Sequence, residues 1–190
     1  MMLDFLCNFG RLKRVPRTGW ILRGIHKSEV ESVADHTSRV VLLSLLVSRL
    51  AEEKLDTAKT LAMATLHDLS ETLLFDIDRD IARLIGEDFK KDAERAVELH
   101  LLKDLPASVS REFELLLSEY HEGKSRESQI VKFCDRLETI LQALEYEKSG
   151  APRESIRDMY SDLEGLSDLG AGEPLKQMLE SLRKRAGRAT

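Results

Sequence analysis

His67 and Asp68 stand side by side, with His36 about thirty residues upstream and Asp135 further along, each in a stretch that reads as helix. Two imidazoles and two carboxylates are enough to hold one divalent metal ion, and such a mixed nitrogen and oxygen set is of intermediate hardness. It suits Mn²⁺, Fe²⁺, Co²⁺ or Zn²⁺ better than Ca²⁺, with Mg²⁺ a poorer match, and it is unlike a Cys-rich structural zinc site. A six-coordinate ion held this way keeps positions open for a water and for a phosphate oxygen, the arrangement of metal-assisted phosphoryl hydrolysis. An adjacent His-Asp pair is common by chance, so the weight lies in its surroundings. These are Glu31-Ser-Val-Ala-Asp35-His36, Leu66-His67-Asp68-Leu69-Ser70-Glu71 and Lys132-Phe-Cys-Asp135-Arg-Leu-Glu138. Asp68 falls in an apolar segment, where an unpaired carboxylate costs several kcal/mol, and that cost argues against a casual structural role.

Glu71 follows His67 by four residues and Asp68 by three, so a continuous helix would set it on the same face, one turn on. There it could take a proton from a water or hold it in line; its ordinary reading is a helix-end salt bridge. Asp76 is either a solvated turn residue or a contact on the leaving-group side. Asp135 lies beside the apolar face of its helix, with surface pairing to Arg136 or Lys132 as the alternative. His26, His100 and His121 have no adjacent acid in such a setting. Arg11, Lys13, Arg14, Arg17, Arg23 and Lys27 form a run free of carboxylates, which is either a solvated basic face or a phosphate-binding edge. Together these residues predict a metal-dependent phosphohydrolase.

The elements that must carry them are helices. In 190 residues there are 10 Gly and 4 Pro, 42% hydrophobic and 33% charged residues, a balance that favours long helices over strands. The length suits one domain, 1–190, with a core over about 9–150 and C-terminal helices over 153–187. Helices are expected at about 1–13, 36–54 with Asp35 as N-cap, 57–74, 79–85, 87–103, 108–122, 125–149, 153–165 and 173–187. An ordered loop carrying Trp20 fills about 14–34, and the residues from Arg183 to Thr190 are expected to fray. The run Val40–Leu50 is apolar nearly all round, which predicts a central, buried helix, yet it is too short to span a bilayer. A net charge of −5 gives no global attraction to nucleic acid or an anionic membrane. Cys7 and Cys134 lack CxxC spacing, which points to a reducing cytoplasm, with Cys134 a core thiol.

The set His36…His67-Asp68…Asp135 resembles the ligands of the HD-domain phosphohydrolase superfamily. Arg11-Leu-Lys-Arg-Val-Pro-Arg17-Thr-Gly-Trp20, Glu31-Ser-Val-Ala-Asp-His36, His67-Asp-Leu-Ser-Glu71 and the segment from Asp135 to Glu147 look closest to its 5′-deoxynucleotidase branch. The resemblance implies an all-α HD-domain bundle, often a homodimer, that hydrolyses deoxyribonucleoside 5′-monophosphates. It implies His36, His67, Asp68 and Asp135 as ligands and Glu71 as the residue that assists the nucleophilic water. Arg17, or Arg14 or Arg23 in its place, would meet the phosphate. Trp20 would lie near the sugar and help exclude a 2′-hydroxyl, with Asp76 beside it, although Phe75 stands where the family places Gly. Two alternatives remain open at this point: another HD-type chemistry (phosphodiester or triphosphate hydrolysis), and a non-catalytic nucleotide- or metal-binding module.

Overall fold

The computed structural model describes residues 1–161, 163, 166, 169 and 172–187. Among these there is no strand, and the nearest to one is an isolated antiparallel bridge between Pro16 and Ser32. The fold is all-α. A short helix α1 (Met2–Phe9) runs into a 3₁₀ turn at Gly10–Arg14. The segment expected to be loop contains one further short helix, α2 (Thr18–Leu22), which carries Trp20.

Helix α3 (Val33–Leu50) begins three residues before the expected position. Its N-cap is Ser32, not Asp35: the Ser32 hydroxyl accepts from the Asp35 backbone N–H, and the Asp35 carboxylate accepts from the Ser32 backbone N–H at 2.9 Å. An acidic residue can complete such a reciprocal cap from the third helical position as well as serve as an N-cap itself, so the sequence pattern is compatible with either start. Helix α4 (Thr57–Leu66), capped by Asp56, ends eight residues before the expected 74. Residues 67–70 form tight turns, with Leu69 N–H on the Leu66 carbonyl and Glu71 N–H on the Asp68 carbonyl, before α5 (Glu71–Leu74). The remaining elements are α6 (Arg79–Ile85), α7 (Glu87–Leu102), α8 (Ala107–Glu122), α9 (Arg126–Lys148), α10 (Arg153–Ile156), a 3₁₀ turn at Arg157–Ser161 and α11 (Gly172–Gly187). Most of these boundaries lie within a residue or two of expectation. The end of the 153–165 helix falls partly outside the described residues, as does the fraying proposed for 188–190. Arg183 to Gly187 is helical.

The core is built where α3, α4 and α9 pack against one another. Helix α9 contributes Ile130, Val131, Cys134, Leu137, Ile140 and Ala143, α3 contributes Val40 and Val47, and α4 contributes Met63 and Ala64, all at most 2% exposed. Cys134 is thus the core thiol expected of it. Helix α3 is less enclosed than its sequence suggests. Val33, His36, Val40, Leu43 and Val47 follow the inward stripe at helical spacing, while Leu42 and Leu46 are 54% and 50% exposed. An apolar run longer than the face its neighbours cover leaves part of itself outside.

Two substitutions separate these faces. Ile140→Ala should lower unfolding stability by about 2–5 kcal/mol through lost burial and a cavity, whereas Leu46→Ala should change it by about 0.5 kcal/mol or less. Urea denaturation followed by circular dichroism reads both. Equal losses would contradict the packing described.

Candidate metal centre

The reciprocal cap at Ser32 starts α3 so that His36 enters the core on its first turn, fully buried. His67 is the residue at which α4 stops, and the tight turns after it let Asp68 face the same point. Asp135 comes from the middle of α9. The Nε2 atoms of the two histidines lie 3.4 Å apart. Asp135 Oδ1 is 3.2 Å from His36 Nε2, and Asp68 Oδ2 is 3.2 Å from His67 Nε2 and 3.7 Å from His36 Nε2.

The outer nitrogens of the rings decide what the inner ones offer. His67 Nδ1 is 2.8 Å from the Ala64 carbonyl oxygen, which can only accept, so Nδ1 carries the proton. His36 Nδ1 contacts Glu138 Oε2, a carboxylate, and must likewise donate. In neutral rings both Nε2 atoms then present lone pairs to a common point already faced by two carboxylates. Asp68 Oδ2 is buried with no hydrogen-bond partner among the described residues. Donors with converging lone pairs and an orphaned carboxylate oxygen fit a bound cation.

The electrostatics carry the same signature. Burial opposes ionisation of Asp68 and Asp135, yet the adjacent imidazoles outweigh it and hold both carboxyls below the usual carboxylate range. Burial and Arg17 oppose a charge on His36, but its bonds to Asp135 and Glu138 push the imidazole up to about 10. In the cation-free chain a proton therefore stands in for the positive charge the cluster demands. Glu71 is raised well above its ordinary value by burial, then by Asp68 and Asp76, and its Oε2 is also buried without a hydrogen-bond partner among the described residues.

A cavity of about 550 Å³ opens from this cluster and is lined by Arg17, Trp20, Arg23, Asp68, Glu71, Asp76 and Asp135 among others. The shortened α4 puts Glu71 at the start of α5 instead of one turn along a continuous helix, yet it still shares the cavity with Asp68. Asp76 is tied to α2: its Oδ2 accepts from the Thr18 hydroxyl at 2.9 Å and from the Thr18 backbone N–H. Of the three candidate arginines, Arg17 reaches furthest toward the cluster, with Nη1 4.0 Å from Asp68 Oδ2 and Nη2 donating to Thr139 Oγ1 at 3.2 Å. Arg23 lines the cavity but is engaged by Asp158, Asp78 and the Gly19 carbonyl. Arg14 is exposed and is not part of the lining. Trp20 is 1% exposed, stacks edge-on to Tyr146 at 5.1 Å and donates from Nε1 to Glu31 at 2.9 Å, so it forms a fixed wall. Phe75 adopts φ 61°, ψ 173°, a conformation natural to Gly, so the turn is kept at a cost of about 1–3 kcal/mol in backbone strain.

Residues 9–164 match the family described as HD domain. The chain belongs to the HD domain family. The "5'-deoxynucleotidase HDDC2" of Xenopus laevis is 36% identical over 164 residues, covering 86% of this chain and 78% of that one. The protein of the same name from Dictyostelium discoideum is 30% identical and covers 96% and 98%. Among solved structures, the PH0347 protein from Pyrococcus horikoshii OT3 superposes with a TM-score of 0.80 at 32% identity, covering 97% and 99%.

In this HD domain several residues around the centre escaped the sequence reading: Glu31, Arg39, Glu138, Tyr120, Thr18 and Thr139. Tyr120 packs edge-on to His67 at 6.0 Å, and burial, followed by Asp135, raises its hydroxyl well above its ordinary value. One signal was available for Glu138. It shares the inward face of α9 with Cys134 and Leu137, and a carboxylate on such a face demands a partner. His26 and His100 are exposed, and His121 is paired with Glu98 at 2.8 Å, away from the centre.

A cation bound only by the folded chain must stabilise it. Mn²⁺ at about a hundred times its dissociation constant should add about 2.7 kcal/mol, a rise of roughly 5–10 °C in the thermal midpoint for a chain of this size. Calorimetry of chelator-treated protein with and without Mn²⁺ reads the shift, and Asp135→Asn should shrink it. An unchanged midpoint would count against the centre.

Proposed function

We propose that this HD domain hydrolyses deoxyribonucleoside 5′-monophosphates to deoxynucleoside and phosphate. The observation that carries the reading is that Asp68 and Asp135 of the donor cluster line one cavity with Arg17, Glu71 and Asp76, in a chain 36% identical to a protein named a 5′-deoxynucleotidase. His36, His67, Asp68 and Asp135 would hold one divalent ion, with Mn²⁺, Fe²⁺, Co²⁺ or Zn²⁺ the cations matched to the donor set and Mg²⁺ less so. When bound, that ion supplies Lewis-acid charge to the phosphoryl group and acidifies a water.

The chain's own residues do the rest. Arg17, held among carboxylates and charged at any working pH, offers a forked pair of donors to two phosphate oxygens. Glu71 lines the cavity, and its Oε2 has no hydrogen-bond partner among the described residues, which suits a general base that takes the proton of the attacking water. Asp76, fixed by Thr18, serves the sugar side. The indole of Trp20 cannot move without breaking its bond to Glu31, and such a rigid wall suits selection against a 2′-hydroxyl.

The substrate is a small nucleotide, neither a nucleic-acid polymer nor a membrane component. No described helix is long and apolar enough to cross a membrane. The reading further takes residues 1–190 as one HD domain, on its length, in a reducing cytoplasm, on its two isolated cysteines, and as a homodimer, as the resemblance implies.

Phosphate release from deoxy- and ribonucleoside 5′-monophosphates, using metal-stripped protein with Mn²⁺, Co²⁺, Zn²⁺ or Mg²⁺ restored singly, tests this reading. Release should return with the transition metals and be confined to deoxynucleotides. Glu71→Gln should lower kcat by about 10²–10⁴-fold while leaving metal binding intact. Silence across the panel from a metal-loaded chain would overturn the assignment and favour diester or triphosphate substrates, or a binding module.

A further inference from the structure

We infer that Glu138, held by Arg39, is the positioning residue that fixes His36 in its ligating form. The inference rests on the reading of His36 as a ligand, and is independent of which nucleotide is cleaved. Glu138 lies on α9 three residues beyond Asp135, so one helix presents a carboxylate to each nitrogen of the same ring. Asp135 Oδ1 stands 3.2 Å from Nε2, and Glu138 Oε2 contacts Nδ1. Glu138 is 0% exposed. A carboxylate buried to that degree needs a cation, and Arg39 provides one, with Nε 2.9 Å and Nη2 2.8 Å from Glu138 Oε1. Arg39 follows His36 by three residues on α3, and is itself braced by Gln142 and by Glu145 at 2.7 Å. The result is a closed circuit across two helices, from α3 through Arg39 to Glu138 on α9 and back to His36 on α3.

This circuit has a chemical consequence. A charged acceptor at Nδ1 forces the proton there, leaving the Nε2 lone pair for the ion, and it makes that lone pair more basic. His67 receives the weaker version of the same help from the Ala64 carbonyl. The two histidines are therefore unequal: His36 is oriented by a charge and His67 by a neutral dipole.

Glu31, His36 and Glu138 also come close enough together to form a second cluster of cation donors. Their engagements speak against a second ion. Glu31 is bonded to the Trp20 indole, both Glu138 oxygens are in use, and the Arg39 guanidinium already supplies the positive charge.

The test is Zn²⁺ titration of the full-length, metal-stripped chain by calorimetry, comparing wild type with Glu138→Gln, which keeps shape and removes charge. The dissociation constant should rise about 10–100-fold with one ion still bound per chain. In the Zn²⁺-loaded proteins, long-range ¹H–¹⁵N spectra should show His36 protonated at Nδ1 in wild type. The variant should show that signature weakened. If Glu138→Gln does not fold, Arg39→Gln, which loosens Glu138 without deleting it, should give a smaller loss in the same direction. Unchanged affinity in whichever variant folds would overturn the inference. So would loss of one ion per chain in Glu138→Gln, which would make Glu138 a ligand. Failure of the wild-type chain to bind Zn²⁺ would instead remove the metal-centre reading itself.

Discussion

Donor atoms of His36, His67, Asp68 and Asp135, from three helical segments, converge inside the protein, and in the cation-free chain a proton on His36 supplies positive charge among them. That convergence is the constraint the rest of the structure answers to. It explains why α3 starts with a reciprocal cap that fixes the angle of its first turn, where His36 sits. It also accounts for the close packing of α3 on α9, since each supplies a donor that a sliding helix would misplace. Hydrophobic burial holds the helices together; the cluster dictates their register.

Around the centre, charge is arranged in layers. Asp68 and Asp135 face the ion site, Arg17 stands on the cavity side, and Glu138 with Arg39 stands behind His36. Among the described residues, Asp68 Oδ2 and Glu71 Oε2 are buried without a hydrogen-bond partner. Those two point to where the chemistry needs something the chain lacks. A structural salt-bridge network would have closed them.

The sequence made the ligands legible because His and Asp are out of place in apolar helices, and an out-of-place residue type can be seen one position at a time. Helix interiors were legible for the same local reason. The errors fell where two local solutions compete. Asp35 and Ser32 are both good caps, and in the fold it is Ser32, bridged to Pro16, that caps the helix. The pattern over 57–74 is helical throughout, and the tight turns at 67–70, with Leu69 N–H on the Leu66 carbonyl and Glu71 N–H on the Asp68 carbonyl, have no signature in it. Leu42 and Leu46 look like core because residue type says nothing of whether a neighbour covers them. Glu31, Arg39 and Glu138 stayed hidden because each has its partner far away in the chain; the Arg39 to Glu138 bond spans 99 residues. Phe75 was recognised as a departure from the family pattern, but its positive φ needed the fold to be seen.

Diffraction from crystals soaked in Mn²⁺, collected to reveal its anomalous signal, tests the central claim most directly. The account predicts one strong peak per chain, about 2.0–2.3 Å from the Nε2 atoms of His36 and His67, with Asp68 and Asp135 oxygens completing the protein's share. His36 Nδ1 should remain on Glu138. A peak elsewhere, or a cluster that binds no ion while the histidines and acids stay paired to one another, would contradict it.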